Sequence, residues 1–274
     1  MKGKKSRLKT TLILSGGGAK GAIQVGALKV ILNKIKPDYI IGTSIGAVNG
    51  AFISTGTSIE ELEKIWLNVK KRNLLSFNFG LLFRFYISES LYTNKKWYKW
   101  LNKQFGNQTF AKCKIPLYIN ATKLQNGKEV FFHRGSLVDA IMASTALPPV
   151  LPPYDINGTR YIDGGISSNI ATAEVIKLKS EQIIIINLAY SGKPEHYEKG
   201  IFHLAYHALD LMSYHSFKKD LELCQLRKGS KKKNIVIIEP NHAFNVLDTD
   251  LSQIPRMIKE GEKEAKKYLK KIIV

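Results

Sequence analysis

The chain has 274 residues, 44% hydrophobic and 23% charged, which is ample for one large core. No Pro/Gly/Ser-rich linker, low-complexity segment or internal repeat divides it, so we predict a single domain over residues 1–274. Lys and Arg number 42 against 22 Asp and Glu, and the resulting charge of +20 favours anionic partners, either nucleic acid or an anionic membrane surface, unless it only solvates the protein.

The N-terminus resembles a secretory signal, because basic residues precede an apolar stretch. That stretch, "LILS", is shorter than the roughly 7–15 residues of a secretory h-region. No uninterrupted apolar run reaches the roughly 18 residues that span a bilayer. Cys113 and Cys224 have no metal-ligand spacing and are typical of a reducing compartment, and a disulfide between them is the alternative. We therefore expect a cytoplasmic protein, soluble or peripherally bound to a membrane.

Hydrophobic periodicity predicts alternating strands and helices along the chain. Ser58 and Glu61 form a capping-box pattern at the start of one helix. The predicted strands are "TTLIL", "DYII", "PLYINAT", "EVFFH", the hairpin "YDINGTRYID", "QIIIINLA" and "NIVIIEP". The predicted helices are about 19–34, "GAVNGAFIST", "SIEELEKIWLNV", "SLVDAIMASTAL", about 197–227 and about 251–271.

Several of these strands are apolar on both faces and lie between helices. This pattern is typical of an α/β fold, a three-layer sandwich with a mainly parallel central sheet. Residues 74–101 stand apart, because aromatic side chains alternate there with Arg84 and several lysines. Two interpretations are open: an interfacial flap that contacts lipid, or an insertion that packs over the sheet. The aromatic residues concerned are Phe77, Phe79, Phe83, Phe85, Trp97 and Trp100.

A glycine cluster follows the first predicted strand in "LILSGGGAKGAIQ". Glycine permits close approach of the backbone to another group and unusual dihedral angles. Two ligands fit such a turn: a nucleotide phosphate or an oxygen that becomes negative during a reaction. Gly16, Gly18 and Gly21 match the G-x-G-x-x-G pattern of dinucleotide sites. That pattern requires an acidic residue at the end of the second strand, whereas Asp38 lies at its start.

A candidate nucleophile lies in "IIGTSIGA", where Gly42, Ser44 and Gly46 match G-x-S-x-G between a strand and a helix. A serine on such a sharp turn is held in a strained backbone, and only small flanking residues fit. A candidate carboxylate lies in "YIDGGISSN", where Asp163 precedes Gly164 and Gly165 after an apolar strand. Each motif alone is also compatible with an ordinary turn.

The three motifs together, in this order, resemble the patatin-like phospholipase family. The family pattern is G-G-G-x-x-G, then G-x-S-x-G, then D-G-G or D-G-A. "ASTALPP", which contains Ser144, is similar to a further family block, and Asn169 lies where the family often has asparagine. Ile170 and Ala171 follow where a proline is common, which affects no catalytic position. The matching motifs cover residues 16–169.

The resemblance implies a serine acyl hydrolase with a Ser-Asp dyad. Ser44 would attack the ester carbonyl, and Asp163 would accept its proton and later activate water. The implied oxyanion hole consists of backbone N–H groups of Gly16, Gly17, Gly18 and Ala19. Lys20 could stabilise the glycine turn by its charge, but we interpret it as a solvated first-turn lysine. The implied substrates are phospholipids or lysophospholipids. No metal or organic cofactor is expected, and calcium has no ligand motif here.

Three alternatives stay open at this point. A Ser-His-Asp triad could recruit His203, His207, His215 or His242, all of which follow Asp163. His203 and His207 also have metal-compatible spacing, although Leu204 replaces the glutamate of H-E-x-x-H. A nucleic-acid-binding protein would explain the basic charge, but no RRM, KH or helix-turn-helix pattern is present, so we expect no nucleic-acid partner.

Overall fold

The computed structural model describes residues 8–70, 74–78, 88–188, 200–226, 234–240 and 251–273. Its strands are β1 Thr10–Leu14, β2 Tyr39–Thr43, β3 Ser76–Phe77, β4 Tyr92–Thr93, β5 Leu117–Lys123, β6 Glu129–Phe132, β7 Tyr154–Ile156, β8 Thr159–Asp163, β9 Gln182–Ile186 and β10 Asn234–Ile238. Its α-helices are α1 Gly21–Leu32, α2 Ile45–Thr55, α3 Ile59–Asn68, α4 Lys95–Phe105, α5 Leu137–Ser144, α6 Thr172–Lys177, α7 Ile201–Leu226 and α8 Ile254–Tyr268. A short 3₁₀ turn, Gly18–Lys20, precedes α1.

In the main sheet hydrogen-bonded neighbours follow the path β10-β9-β1-β2-β5-β8-β7. Strands β2 and β8 pair with successive parts of one edge of β5, and β6 pairs with its other edge. The pairs from β10 to β5 are parallel, whereas β6, β7 and β8 are antiparallel additions. This confirms the predicted α/β class with a mainly parallel sheet. Parallel pairing places the carboxyl ends of β1, β2 and β9 at one edge of the sheet.

The two faces of the sheet bury separate apolar clusters, because successive side chains of a strand point to opposite sides. Leu12 and Leu14 face α1, α2 and α8, whereas Ile13 faces α6 and α7. In β9, Ile184 and Ile186 share the first face and Ile183 and Ile185 the second. Helices therefore cover both faces, and the central strands are apolar on both sides for that reason.

Helices α1 and α8 cross in close contact on the first face. A Cβ on Gly26 would run into the carbonyl of Ile258, and a Cβ on Gly261 would run into the carbonyl of Ile23. The absence of side chains at these two positions lets the helix backbones touch. This contact fixes α1 and hence the glycine turn at its N-terminus.

The predicted strands and long helices agree with the structure, including the capping box of Ser58 and Glu61 at α3. The hairpin between β7 and β8 turns through Asn157 and Gly158, both at positive φ, as an Asn-Gly hairpin turn requires. The prediction omitted α4, which lies in the aromatic-basic segment, and α6, a helix of only six residues. The outer parts of the predicted helix 197–227 lie outside the described residues.

The aromatic-basic segment 74–101 is partly core. Trp97 is 8% exposed, donates its indole N–H to Thr145 Oγ1 at 2.8 Å and stacks on Trp100. Phe77 is 43% exposed. Phe79, Phe83, Arg84 and Phe85 lie outside the described residues. Trp97 and Trp100 thus pack on the core, where Trp100 also contacts the ring of Phe52. The flap interpretation stays a prediction for the other aromatic residues.

Among the helices within the described ranges, none is long and apolar enough to cross a membrane. Cys113 is a free thiol, and burial raises its pKa to about 11. The thiolate, the reactive form, is therefore scarce at neutral pH.

Candidate active site

Ser44 lies at the junction of β2 and α2 with φ 53° and ψ −123°. Side-chain-bearing residues rarely adopt this conformation, so the backbone is strained. The flanking glycines are required by space, since a Cβ on Gly42 would lie 2.6 Å from Ala47 Cα and one on Gly46 would run into the Leu14 carbonyl. The N–H of Ser44 donates to Ser144 Oγ at 2.8 Å. The turn therefore presents the Ser44 side chain at the carboxyl edge of the sheet.

The register of β5 explains why Asp163 reaches Ser44. Thr43, the last residue of β2, pairs with Asn120, and Asp163, the last residue of β8, pairs with Ala121. Strand β6 overlaps both pairings and so occupies the opposite edge of β5. Strands β2 and β8 therefore share one edge and meet end to end. The antiparallel direction of β8 turns its C-terminus toward Ser44.

Asp163 is 4% exposed, and its carboxylate accepts a hydrogen bond from the Gly165 N–H at 2.8 Å. Burial raises the pKa of Asp163 from the ordinary 3.8 to about 6, although the nearby Ser44 hydroxyl and the Gly165 N–H favour the ionised form. Thr122 Oγ1 donates to the Asp163 carbonyl at 2.9 Å, and the Asp163 N–H donates to the Ala146 carbonyl at 2.9 Å. The carboxylate is thus held rigidly and is more basic than an exposed one.

The glycine turn lies directly beside Ser44. A Cβ on Gly16 would lie 3.2 Å from Ser44 Cβ, and one on Gly17 would lie 2.6 Å from Leu188 Cβ. Gly18 has φ 55° and begins the 3₁₀ turn. Lys20 ends that turn and is only 4% exposed, so the prediction of a solvated lysine is wrong. The first N–H groups of such a turn have no acceptor within it, so they are suited to bind an anionic oxygen.

Gly16 differs from this expectation. Its N–H donates to Asn169 Oδ1 at 2.9 Å, so the amide is already engaged and is not a free oxyanion donor. The expected set of four donors is therefore corrected to the N–H groups of Gly17, Gly18 and Ala19, whose role remains a proposal. Gly16 instead links the glycine turn to the segment after Asp163.

Three comparisons bear on this site. The family model "Patatin-like phospholipase" matches residues 12–176. The chain belongs to the patatin-like phospholipase family. It is 28% identical over 183 residues to lysophospholipase NTE1 of Phaeosphaeria nodorum, a match that covers 65% of this chain and 12% of that protein. An uncharacterized NTE family protein of Mycobacterium bovis is 28% identical over 66% of this chain and 49% of its own.

Solved structures resemble the fold. VipD from Legionella pneumophila aligns with a TM-score of 0.52 at 14% identity, covering 96% of this chain and 67% of VipD. ExoU of Pseudomonas aeruginosa, in its complex with SpcU, aligns with a TM-score of 0.51 at 15% identity over 97% of this chain and 53% of its own. At these identities the likeness concerns the fold alone.

Family membership also fits the remaining glycines. A Cβ on Gly21 would lie 2.5 Å from Ile45 Cγ1, and one on Gly164 would run into the Asn120 carbonyl. A Cβ on Gly165 would lie 3.2 Å from the carboxylate of Asp163. Each of these glycines therefore stands where another backbone or a side chain approaches closely.

The dinucleotide alternative is wrong on geometry. Asp38 accepts a hydrogen bond from the N–H of Thr10 at 2.8 Å, at the amino end of β1. The glycine turn follows the carboxyl end of the same strand. Five residues of strand, about 17 Å, separate the two groups. Within the described part of the chain, no cluster of three or more His, Cys, Asp or Glu could hold a metal ion.

Sequence reasoning missed several polar residues that build the site. Asn120 Nδ2 donates to the carbonyls of Gly164 at 3.1 Å and Ser168 at 2.6 Å, which shapes the segment after Asp163. Ser144 belongs to the family block "ASTALPP", and its Oγ accepts the hydrogen bond from the Ser44 N–H. The available signal was an uncharged polar residue inside a predicted apolar element, as in "YINAT".

Proposed function

We propose that this protein is a serine acyl hydrolase that cleaves fatty acyl esters of phospholipids, as a phospholipase A or a lysophospholipase. The observation that carries the proposal is the closeness of the Ser44 hydroxyl to the buried Asp163 carboxylate, beside the glycine turn. The chain spans about an eighth of the fungal relatives and about half of the mycobacterial one. The activity is therefore proposed for this chain from its own site, together with its family.

In the proposed mechanism, Ser44 Oγ attacks the ester carbonyl while Asp163 accepts the hydroxyl proton. The carbonyl oxygen becomes negative and is stabilised by N–H groups of Gly17, Gly18 and Ala19, each worth typically about 3–4 kcal/mol in such sites. The alcohol, a lysophospholipid or a glycerophosphodiester, leaves with the proton from Asp163. Asp163 then accepts a proton from water, whose oxygen attacks the acyl-enzyme carbonyl. The bond to Ser44 Oγ breaks, Asp163 returns the proton to Ser44 Oγ, and the fatty acid leaves.

The raised pKa of Asp163 supports this role. A carboxylate with the ordinary pKa near 4 is a weak base toward a serine hydroxyl, and a base works best with a pKa near the working pH. Burial raises the pKa to about 6, so the group is ionised at neutral pH but more basic than usual. No cofactor takes part in this sequence of steps.

The closeness of Ser44 to Asp163 also favours the dyad over a Ser-His-Asp triad. In a triad an imidazole lies between the serine and the carboxylate, whereas here the Ser44 hydroxyl is itself the neighbour that lowers the pKa of the Asp163 carboxyl. Two of the histidines considered for a triad give no evidence on this point: His203 is known only as a residue of α7, and His242 lies outside the described residues.

We expect each His→Ala variant of the six histidines to keep kcat/KM for a p-nitrophenyl ester close to the wild-type value. Loss of a triad histidine would instead lower kcat by about 10⁴-fold or more. If one histidine variant showed such a loss at an unchanged melting temperature, that histidine would be catalytic, and a Ser-His-Asp triad would explain the activity in place of the dyad.

The proposal places the enzyme in the cytoplasm at an anionic membrane surface, where its lipid substrates lie. The net charge of +20 and the free thiol of Cys113 support this location.

The test of the proposed activity is incubation with a mixed lipid extract and identification of the products by mass. We expect free fatty acid and the matching lyso- or deacylated lipid, and no product with Ser44→Ala. Binding of duplex DNA without any lipid product would contradict the proposal.

A further inference from the structure

A buried network of polar side chains joins three helices behind the glycine turn. Gln24 of α1 and Asn49 of α2 are fully buried, and Trp66 of α3 is 8% exposed. Asn49 Nδ2 donates to Gln24 Oε1 at 2.9 Å, and Trp66 Nε1 donates to Asn49 Oδ1 at 2.9 Å. Buried amides are costly unless their hydrogen bonds are made, so such a network has a single favourable arrangement.

The network holds both ends of the glycine turn. Gln24 Nε2 donates to the carbonyl of Ser15 at 2.8 Å, just before the turn. Asn49 Nδ2 donates to the carbonyl of Gly21 at 3.0 Å, just after it. Asn49 lies on α2, the helix that begins after Ser44. The network therefore sets the position of the turn relative to the helix that carries the candidate nucleophile.

We infer that Gln24, Asn49 and Trp66 are positioning residues for the oxyanion donors of the glycine turn. The inference rests on the proposed function. A turn of five residues, fixed at both ends, keeps its N–H groups at a set distance from Ser44. Donors help a reaction only when they are already aimed at the developing charge, and a displacement of about 1 Å can cost about 10²-fold in rate.

The test compares Asn49→Leu, which removes all three Asn49 hydrogen bonds, with wild type. The first readout is the rate at which a soluble fluorophosphonate labels Ser44, which needs the oxyanion donors but no lipid. The second is the ratio of kcat/KM for an oxoester and its thionoester, because sulfur accepts hydrogen bonds poorly. We expect labelling and kcat to fall by about 10²-fold with little change in KM, and the ratio to fall.

Thr11→Val is the matched control. It removes a buried hydrogen bond to Ser180, 2.6 Å long, near the amino end of the sheet, and we expect both readouts to stay unchanged. Trp66→Phe removes only one donor and gives a smaller effect in the same direction if Asn49→Leu does not fold. A folded Asn49→Leu protein with wild-type labelling and ratio would overturn the inference, as would no labelling of wild type. Labelling without any lipid product would contradict the proposed substrate alone.

The outer face of α7 carries a second, independent inference. We define this face by Leu204, Ala208, Leu211 and Met212, all exposed. Leu204 is 55% exposed and Met212 is 68% exposed. The spacings of four, seven and eight residues place the four side chains on one side of the helix. An exposed apolar face of this kind marks an interaction surface.

This face extends along α7 outward from the level of the candidate site. Phe217 and Leu221 pack on the sheet, and Asp220 accepts a hydrogen bond from Ser168 Oγ at 2.8 Å, next to Asn169. At 1.5 Å per residue, Met212 and Leu204 lie about 12 and 24 Å from Asp220 along the helix axis. Since α7 connects parallel β9 to β10, it starts from the carboxyl edge of the sheet. Its N-terminal half therefore extends outward from the level of the site.

We propose that the outer face of α7 binds an anionic phospholipid bilayer. Lys218 and Lys219 are exposed at the inner end of the face, where they can meet lipid phosphates, and the whole chain carries a charge of +20. This charge favours an anionic lipid surface over a second copy of the same basic chain. If the proposed function is correct, the bilayer would also bring the substrate to the site.

The test is co-sedimentation with ether-lipid vesicles, which no ester hydrolase consumes, so the result is independent of turnover. Vesicles contain phosphatidylcholine alone or mixed with phosphatidylglycerol. We expect wild type to bind only the mixed vesicles. We expect the double variant Leu204→Ser, Met212→Ser to bind them with an affinity that is lower by about tenfold or more. Its turnover of a soluble ester should stay at the wild-type level.

Ile273→Ser is the matched control, because Ile273 is 51% exposed and its N–H contacts Gln182 at the amino end of β9. We expect this variant to bind like wild type. Equal binding by the double variant and wild type would overturn the proposal. A change in oligomeric state in the double variant, without a change in vesicle binding, would assign the face to self-association instead.

Discussion

Replacing Ser44 with alanine is expected to lower kcat for ester hydrolysis by about 10⁴- to 10⁶-fold, because the acyl-enzyme can no longer form. Ser54→Ala is the matched control: Ser54 is a buried serine of the same helix, α2, and we expect that variant to keep its activity. The measurement is steady-state hydrolysis of a lysophospholipid and of a p-nitrophenyl ester. If Ser44→Ala hydrolysed these esters at the wild-type rate, Ser44 would not be the nucleophile.

The same position also tests the strain in the turn. Ser44 has φ 53°, a conformation that costs a side-chain-bearing residue about 1–3 kcal/mol and glycine much less. Because glycine also increases the entropy of the unfolded chain, we expect Ser44→Gly to be about 1 kcal/mol more stable than Ser44→Ala. Urea unfolding of the two inactive variants measures the difference. A less stable glycine variant would show that the turn is not strained.

The raised pKa of Asp163 predicts how the rate of the reaction depends on pH. The carboxylate must be ionised to accept the proton of Ser44, and burial raises its pKa to about 6. We therefore expect kcat/KM to rise with pH, to reach half its maximum near pH 6 and to level off above it. Asp163→Asn should lower kcat by about 10⁴-fold and remove this dependence. A wild-type profile flat through pH 6 would contradict the role of Asp163 as base.

Glu129 provides the control for that profile. Burial also raises its pKa, to about 7, with the charge of Asp220 as the next cause. Glu129 lies in β6 and has no role in the mechanism that we propose. Glu129→Gln should leave the half-maximum of kcat/KM near pH 6. A shift of the half-maximum in this variant would show that the ionisation of Glu129, and not that of Asp163, controls kcat/KM.

Stability should change with pH in the opposite direction to activity. The folded state holds the proton of Asp163 more tightly than the unfolded state, whose pKa is near 3.8. As pH rises from about 4 to about 6, the unfolded state releases its proton first, so the free energy of unfolding falls. Asp163→Asn removes this effect, and we expect it to be more stable than wild type above pH 6, by up to about 3 kcal/mol. Urea unfolding across this range measures it.

Local patterns predicted much of the candidate site. The strand before Gly42 and the helix after Gly46 follow from hydrophobic periodicity, and the glycines follow from the space that a tight turn leaves. Asp163 could be selected because a carboxylate at a strand end precedes two glycines. Gly16 was misassigned, because a sequence does not say which acceptor an N–H finds. Its partner, Asn169, lies 153 positions away.

The sequence by itself determined the alternation of strands and helices, the sharp turn at Ser44 and the family, because these depend on neighbouring residues and their spacing. Only the tertiary structure decided that β2 and β8 meet end to end along β5, which joins Ser44 to Asp163. It also decided that burial raises the pKa of Asp163 and that Gln24 and Asn49 hold the glycine turn. Strand register and burial arise from contacts between residues far apart in the chain, and a local pattern carries no record of them.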